Sequence, residues 1–164
     1  MTTQRSPYPR MAAALLALLG LFDAAYLSLE RITGGGLVCP VGGGCETVQS
    51  SAYATLLGVP VAFIGVAGYA ALFAVALLSL HAGDAAARPV AALLLALASV
   101  GVLLALYLSY LQVAVIGAIC FWCAVSALLE LGIWVAALLD WRLLRRRSTA
   151  DHRPPTSDQP RRAV

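Results

Sequence analysis

Four cysteines lie in two close pairs whose spacing is typical of thiol–disulfide chemistry. Cys39 and Cys45 enclose a glycine-rich segment, whereas Cys120 and Cys123 form a Cys-Phe-Trp-Cys motif at the start of an apolar run. Side chains at positions i and i+3 of a helix share one face, and the unpaired N–H groups of a helix N-terminus favour a thiolate. We therefore expect the second pair to be activated for exchange with another dithiol.

The composition is that of an integral membrane protein. Of the residues, 61% are hydrophobic and 12% are charged, and four apolar runs reach the length of about 20 residues that a spanning helix needs. The predicted fold is all-α, a bundle of four transmembrane helices near Met11–Leu29, Gly58–Leu80, Val90–Val115 and Ala118–Leu139. A transporter is disfavoured, because these segments show neither an inverted repeat nor paired helix breaks.

Arginines indicate the orientation of the chain, since the cytoplasmic flanks of membrane helices carry an excess of positive charge. They lie beside the apolar runs, which favours a topological role over binding of nucleic acid. Both ends and the second loop contain them, at Arg5, Arg10, Arg88, Arg142, Arg145, Arg146 and Arg147. We expect a multi-pass protein of the inner (cytoplasmic) membrane, with both termini in the cytoplasm and all four cysteines outside it. Residues 1–10 form a cytoplasmic segment, 11–140 the four-helix domain, and 141–164 a basic, disordered cytoplasmic tail.

The loop that carries the first cysteine pair is expected to be flexible. Glycines at 42–44 lie between Cys39 and Cys45, and those at 34–36 precede the pair. Such a loop can close a small disulfide ring and can carry a dithiol between a soluble partner and the membrane surface. A disulfide-stapled scaffold without turnover is the alternative. A zinc site is disfavoured because the loop pair is widely spaced and no histidine is near, so no metal is predicted.

Two carboxylates, Asp23 and Glu130, fall inside the predicted spans. A charged group at such depth is unfavourable unless it is paired or functional. Hydrogen bonding between helices is the expected role of both residues, and a proton route is the alternative.

Ordered motifs extend beyond the cysteines. They are Asp23-Ala-Ala-Tyr26-Leu27-Ser28, then Cys45-Glu-Thr-Val-Gln-Ser50-Ser51 followed by Gly58-Val59-Pro60, and Tyr107-Leu-Ser-Tyr-Leu-Gln112 before the Cys-x-x-Cys. From about Asp23 to about Ser126, this arrangement resembles the bacterial branch of the vitamin K epoxide reductase family.

The resemblance implies a four-helix bundle around a quinone cofactor, menaquinone or ubiquinone. It also implies that electrons come from a periplasmic or extracytoplasmic thioredoxin-like protein, so that the chain supports disulfide formation. By this resemblance, Cys39 exchanges with the soluble partner, Cys45 relays to Cys120, and Cys123 passes electrons to the quinone. Reduction of vitamin K or menaquinone epoxide by the same cysteines is the alternative activity.

Further site residues follow from the same resemblance. Ser51 matches a serine on a short extracytoplasmic helix that caps the quinone pocket, and Glu46–Leu57 is expected to form this cap. Val61 stands where mammalian members have an asparagine near the quinone, and Trp122 is expected at a membrane interface, where it can also touch the quinone ring. Because the chain stops after a short tail, with no fused thioredoxin-like domain, we expect the partner to be a separate polypeptide.

Overall fold

The computed structural model describes residues 8–40 and 43–151 of the chain. In that part it contains α1 (Tyr8–Thr33), α2 (Gly44–Ser50), α3 (Val61–His81), α4 (Asp84–Tyr110) and α5 (Phe121–Asp151), with two short strands, β1 (Thr55–Leu56) and β2 (Val59–Pro60). A π-helical turn, Leu111–Ile116, continues α4. The helices α1, α3, α4 with this turn, and α5 are long and apolar enough to cross a membrane. The predicted all-α bundle of four membrane helices is therefore confirmed.

Small side chains allow the long helices to pack closely. The helix α1 packs against α3 and α5, and α4 packs against α5 and α3. Without a hydrophobic driving force between helices in lipid, association depends on such close backbone approach. Alanine dominates the buried core, with fully or almost fully buried examples at Ala13, Ala17, Ala76, Ala98 and Ala137.

The short cap at one end of the bundle is helical only in its first half. The prediction of one element over Glu46–Leu57 is wrong beyond Ser50, where α2 ends. Ser51 is extended, a 3₁₀ turn follows, and β1 and β2 form a small antiparallel hairpin. Leu57 and Gly58 at its tip both have positive φ, 52° and 84°, as a tight hairpin turn of this hand requires. A helix cannot continue through two such residues.

The end of the last helix also differs from the prediction. A disordered tail was expected from residue 141, but α5 continues to Asp151. Within this extension of α5, the guanidinium of Arg145 lies 5.6 Å from the ring centroid of Trp141, within the range of a cation–π contact. The expectations for residues 1–7 and 152–164 lie outside the described residues.

At the end of the bundle away from the cap, a buried ion pair joins three helices. The Nε atom of Arg10 on α1 donates to Oδ1 of Asp140 on α5 at 2.9 Å, and its Nη1 atom donates to the carbonyl of Ser79 on α3 at 2.7 Å. Arg10 and Asp140 are 5% and 4% exposed. Removing one partner leaves the other charge buried without compensation, which is strongly destabilising.

Replacement of Arg10 by leucine is expected to lower the free energy of unfolding by about 3 kcal/mol, because the Asp140 carboxylate stays buried alone. Denaturant unfolding of the purified chain in detergent measures this change. Arg142→Leu, which removes an exposed arginine of α5, is the control. The double variant Arg10→Leu/Asp140→Leu should recover most of the loss; equal loss in Arg10→Leu and Arg142→Leu would contradict the role of the pair.

Candidate redox site

All four cysteines lie at the cap end of the bundle. Cys39 and Cys45 form a disulfide with their Cα atoms 6.1 Å apart, and Cys120 and Cys123 are free thiols. Cys45 and Cys120 are fully buried and pack together with Val48 in one apolar cluster. Cys39 is partly exposed. The structure thus brings together all four predicted cysteines, with Cys45 and Cys120 fully buried between the partly exposed Cys39 and Cys123.

A close backbone contact holds Cys45 in this cluster. A Cβ atom on Gly44 would lie 2.5 Å from the carbonyl oxygen and 3.0 Å from the nitrogen of Ile119. Neither backbone atom can move aside as a flexible side chain would. Glycine at position 44 therefore allows the start of α2 to lie directly on the backbone that precedes Cys120.

Gln112 fixes the position of Cys120, the other fully buried cysteine of the cluster. The side-chain oxygen of Gln112 accepts a hydrogen bond from the N–H of Cys120 at 2.9 Å, and its backbone carbonyl accepts one from Ala118 at 3.1 Å. Gln112 lies in the π-helical turn, an irregularity that often marks functional sites. Gly117, with φ of 69°, then reverses the chain before the motif. Together these bonds set the position of Cys120 relative to α4.

Cys120 directly precedes α5 and carries the more acidic thiol of the motif. The Cys123 side chain beside it, with further help from nearby backbone N–H groups, lowers the pKa of the Cys120 thiol to about 7 despite burial. The backbone N–H of Cys123 lies 3.4 Å from the Cys120 sulfur. This lowered pKa favours the thiolate form of Cys120, the form that attacks disulfides.

Trp122 links the Cys120–Cys123 motif to the loop that carries Cys39. Its indole N–H donates to the carbonyl of Val38 at 3.0 Å, and its ring centroid lies 5.1 Å from that of Tyr26. A second ring contact, at 5.4 Å, joins it to Phe121. Trp122 is not among the residues that line the cavity described next. The structure thus places this residue against the cysteine loop and does not bring it to the candidate quinone site.

A cavity of about 340 Å³ lies under the cap, between the membrane helices. Most of its lining is aliphatic, and the predicted residues Ser51, Val61 and Cys123 all belong to it. A largely apolar cavity with a few polar groups is typical of sites for small flat ligands. Its remaining polar side chains come from Gln49, Tyr53, Tyr69, Ser109, Gln112, Ser126 and Glu130. These residues fit the apolar ring and carbonyl oxygens of a quinone, although Val61 contributes only apolar surface.

Polar bonds next to the cavity join three of the membrane helices. The hydroxyl of Ser126 on α5 donates to Oδ2 of Asp23 on α1, and the hydroxyl of Tyr69 on α3 donates to the Ser126 carbonyl at 2.8 Å. The predicted interhelical hydrogen bond of Asp23 is therefore confirmed. The Ser51 hydroxyl, at the cap, donates to the Val48 carbonyl at 2.7 Å.

Several residues of the site were not predicted from the sequence. Gln112 and Tyr69 were not proposed to have a role, and Gly44 was proposed only as part of a flexible glycine run, although each of the three shapes the site. A buried amide inside an apolar run was a usable signal for Gln112, because an unpaired polar group in lipid is unfavourable. No comparable signal existed for Gly44, whose role depends on a contact with a residue 75 positions later.

Comparison with known proteins agrees with this arrangement. Residues 11–138 match the profile of the Vitamin K epoxide reductase family. The chain is also similar to the thiol-disulfide oxidoreductase LTO1 of Arabidopsis thaliana, with 31% identity over 128 residues. That alignment covers 75% of this chain and 34% of the relative, so the chain spans about a third of the length of the relative.

Replacement of Gly44 by alanine is expected to loosen the cap, because the new Cβ overlaps the Ile119 backbone. In a Cys39→Ser/Cys45→Ser/Cys123→Ala background, where Cys120 is the one cysteine left, the alkylation rate of Cys120 should rise about tenfold, equivalent to ~1.4 kcal/mol of lost packing. Mass spectrometry of maleimide-treated protein measures this rate. Gly36→Ala, at a site with no atom within 4 Å of the added Cβ, is the control; equal rates in both variants would contradict the contact.

The acidity of Cys120 gives a pH-dependent signal. In the chain with its loop disulfide intact, the first thiolate should form with a midpoint near pH 7, as its lowered pKa requires. Cys123→Ala removes the neighbouring thiol, so the midpoint should move up toward about 8.5, the ordinary value for cysteine. Cys123→Ser keeps a hydrogen-bond donor and should change it less. Ultraviolet absorbance of the thiolate measures the midpoint in the unmodified chain and in both variants. Identical midpoints would contradict the role of the Cys123 side chain in lowering the pKa of Cys120.

Proposed function

Because the chain belongs to the vitamin K epoxide reductase family, we propose that it is a membrane thiol–disulfide oxidoreductase that passes electrons from a thioredoxin-like protein to a lipid-soluble quinone. One observation carries this proposal: the cysteines form a continuous series from the partly exposed Cys39, through the buried contact of Cys45 and Cys120, to Cys123 in the wall of an apolar cavity. A disulfide-stapled scaffold has no need of a free dithiol or of a cavity beside it.

The proposed reaction begins at the loop. A thiolate of the soluble partner attacks the Cys39 sulfur, Cys45 leaves as a thiolate, and the second partner thiol then displaces Cys39, so that the partner becomes oxidised. Cys45 next attacks the Cys120 sulfur of an oxidised motif, which releases Cys123, and Cys39 closes the loop disulfide again. A loop disulfide beside a free Cys120–Cys123 dithiol corresponds to the stage that follows this internal exchange.

The direction of electron flow follows from reduction potentials. A strongly oxidising thioredoxin-like protein has a reduction potential of about −120 mV, so an acceptor of higher reduction potential must reoxidise it. A membrane quinone supplies this chemistry, since it accepts two electrons and two protons. Cys123 and Ser51 would lie next to the bound ring, and the aliphatic lining would exclude water.

The membrane orientation belongs to the same proposal. Arg10 and the arginines of α5 lie at the end of the bundle opposite the cysteines. If the arginine-rich end faces the cytoplasm, all four cysteines lie in an extracytoplasmic compartment, where disulfides persist. The partner would be a separate thioredoxin-like protein of that compartment.

Two substitutions test the electron path. The purified chain in lipid, given a reduced thioredoxin-like protein and either menaquinone or ubiquinone, should form quinol. Cys123→Ala should abolish quinol formation, because Cys120 then has no neighbouring thiol with which to form the motif disulfide. It should also raise the amount of the Cys45–Cys120 bridge, because Cys123 can no longer open this bridge and only Cys39 remains to do so. Absorbance of the quinone and peptide mapping under non-reducing conditions measure the two effects.

A matched control uses a neighbouring position of the same helix. Ala124→Ser leaves all four sulfurs unchanged and should retain quinol formation. Failure of the unmodified chain to reduce either quinone would overturn the proposal, and so would full activity of Cys123→Ala. Membrane-impermeant thiol reagents applied to intact cells test the orientation, because reduced Cys39 should react from outside the cell.

A further inference from the structure

Glu130 is a buried carboxyl group that the proposed electron path does not use. It lies on α5 two turns after Cys123, it is 5% exposed, and it belongs to the lining of the same cavity. Its Oε1 atom has no hydrogen-bond partner within the part of the chain that the structure describes. The hydrogen bond between helices that was expected for Glu130 is therefore not found at this atom. Burial of a carboxylate without a partner is strongly unfavourable, which favours the neutral acid or a functional role.

The opposite helix makes room for this carboxyl group. Gly101 of α4 lies so close to Glu130 that a Cβ atom at this position would overlap Oε1 and the carboxyl carbon. The acid therefore occupies a recess in the α4 backbone at the edge of the cavity. The Oε1 atom that fits against Gly101 is the same atom that has no hydrogen-bond partner, and both Gly101 and Glu130 belong to the lining of the cavity.

The groups around Glu130 provide no positive charge. On α3, Tyr69 directs its hydroxyl to the Ser126 carbonyl, and on α1, Asp23 accepts from the Ser126 hydroxyl. On α5 itself, Cys123 lines the cavity as a thiol. The buried guanidinium of Arg10 pairs with Asp140 at the other end of the bundle. Among the described residues that line the cavity there is no arginine, so the Glu130 carboxyl holds its proton.

We propose that Glu130 donates a proton to a quinone oxygen in the cavity, an inference that rests on the proposed function. When the Cys120–Cys123 dithiol is oxidised, two S–H bonds break, one S–S bond forms, and two electrons and two protons are transferred. The Glu130 acid would deliver one proton to an oxygen of a quinone bound in the cavity. The carboxylate left behind takes up one of the two protons that the thiols release, and the other thiol proton goes to the second quinone oxygen.

Asp23 is a poorer donor by position. Its Oδ1 atom is unpaired among the described residues, like Oε1 of Glu130, but its Oδ2 atom already accepts the Ser126 hydroxyl, and Asp23 is not among the residues that line the cavity. Glu130 alone of the two intramembrane carboxyls has direct access to a ligand there. The structure therefore distinguishes two residues that the sequence left equivalent.

Glu130→Gln tests this inference, because it keeps the size of the side chain and removes the proton. In single-turnover reactions of the prereduced full-length chain, quinol formation should slow about a hundredfold, as for the loss of a general acid. Glu130→Asp keeps an acid and should recover part of the rate. Glu30→Gln, at the outer end of α1 and away from the cavity lining, should react like the unmodified chain.

A second measurement does not depend on turnover. Infrared difference spectra of the lipid-embedded chain should contain a carboxylic acid C=O band that shifts when a quinone analogue is added, and Glu130→Gln should lack this band. Formation of the Cys45–Cys120 bridge in a Cys123→Ala background should be equal with and without Glu130→Gln, which confirms folding and thiol exchange.

The outcomes separate the two proposals. An unmodified chain that reduces quinone, combined with an unchanged rate or an unchanged infrared band in Glu130→Gln, overturns the role of Glu130 and leaves the proposed function standing. An unmodified chain that cannot reduce quinone overturns the proposed function and this inference with it. Loss of the Cys45–Cys120 bridge in Glu130→Gln also contradicts the inference, because the residue would then be required for folding or thiol exchange.

Discussion

The contact between Gly44 and the Ile119 backbone is the constraint on which the site depends. Two buried sulfurs exchange only if their helices approach within bonding distance, and a side chain at position 44 would prevent this approach. The Gln112 bond to Cys120 and the Trp122 bond to Val38 act on either side of that contact. The first bond fixes Cys120 to the end of α4, and the second fixes the loop that carries Cys39 to the start of α5, so that this loop and the bundle share one small apolar cluster.

The apolar interior of a membrane favours polar groups that have hydrogen-bond partners inside the protein. The buried polar side chains of this bundle differ in whether they have such partners. Ser126 bonds to Asp23 and to Tyr69 across three helices, which gives these side chains partners in the apolar interior, although Oδ1 of Asp23 has none among the described residues. Glu130 has an unpaired oxygen beside a cavity. Satisfied polar groups stabilise the bundle, whereas an unsatisfied one at a cavity wall is available to a ligand.

The sequence predicted those features that depend on residues close together in the chain. Long apolar runs identify membrane helices because only helices satisfy their own backbone in lipid, and the spacing of Cys120 and Cys123 places them on one helix face. The hairpin turn at Leu57 and Gly58 was not predicted, because the pattern of hydrophobic residues does not indicate that both residues have positive φ. The fit of Gly101 to Glu130 could not be predicted, since it depends on the register of two helices.

The ion pair of Arg10 and Asp140 also has a consequence for biogenesis. Its partners lie 130 residues apart, in the first and the last long helix. During synthesis, the guanidinium enters the membrane region well before its carboxylate exists, and it must remain near the lipid headgroups until the final helix inserts. Insertion of α5 is therefore the event that supplies the counter-charge for α1, and a product that ends before α5 carries a guanidinium without its partner.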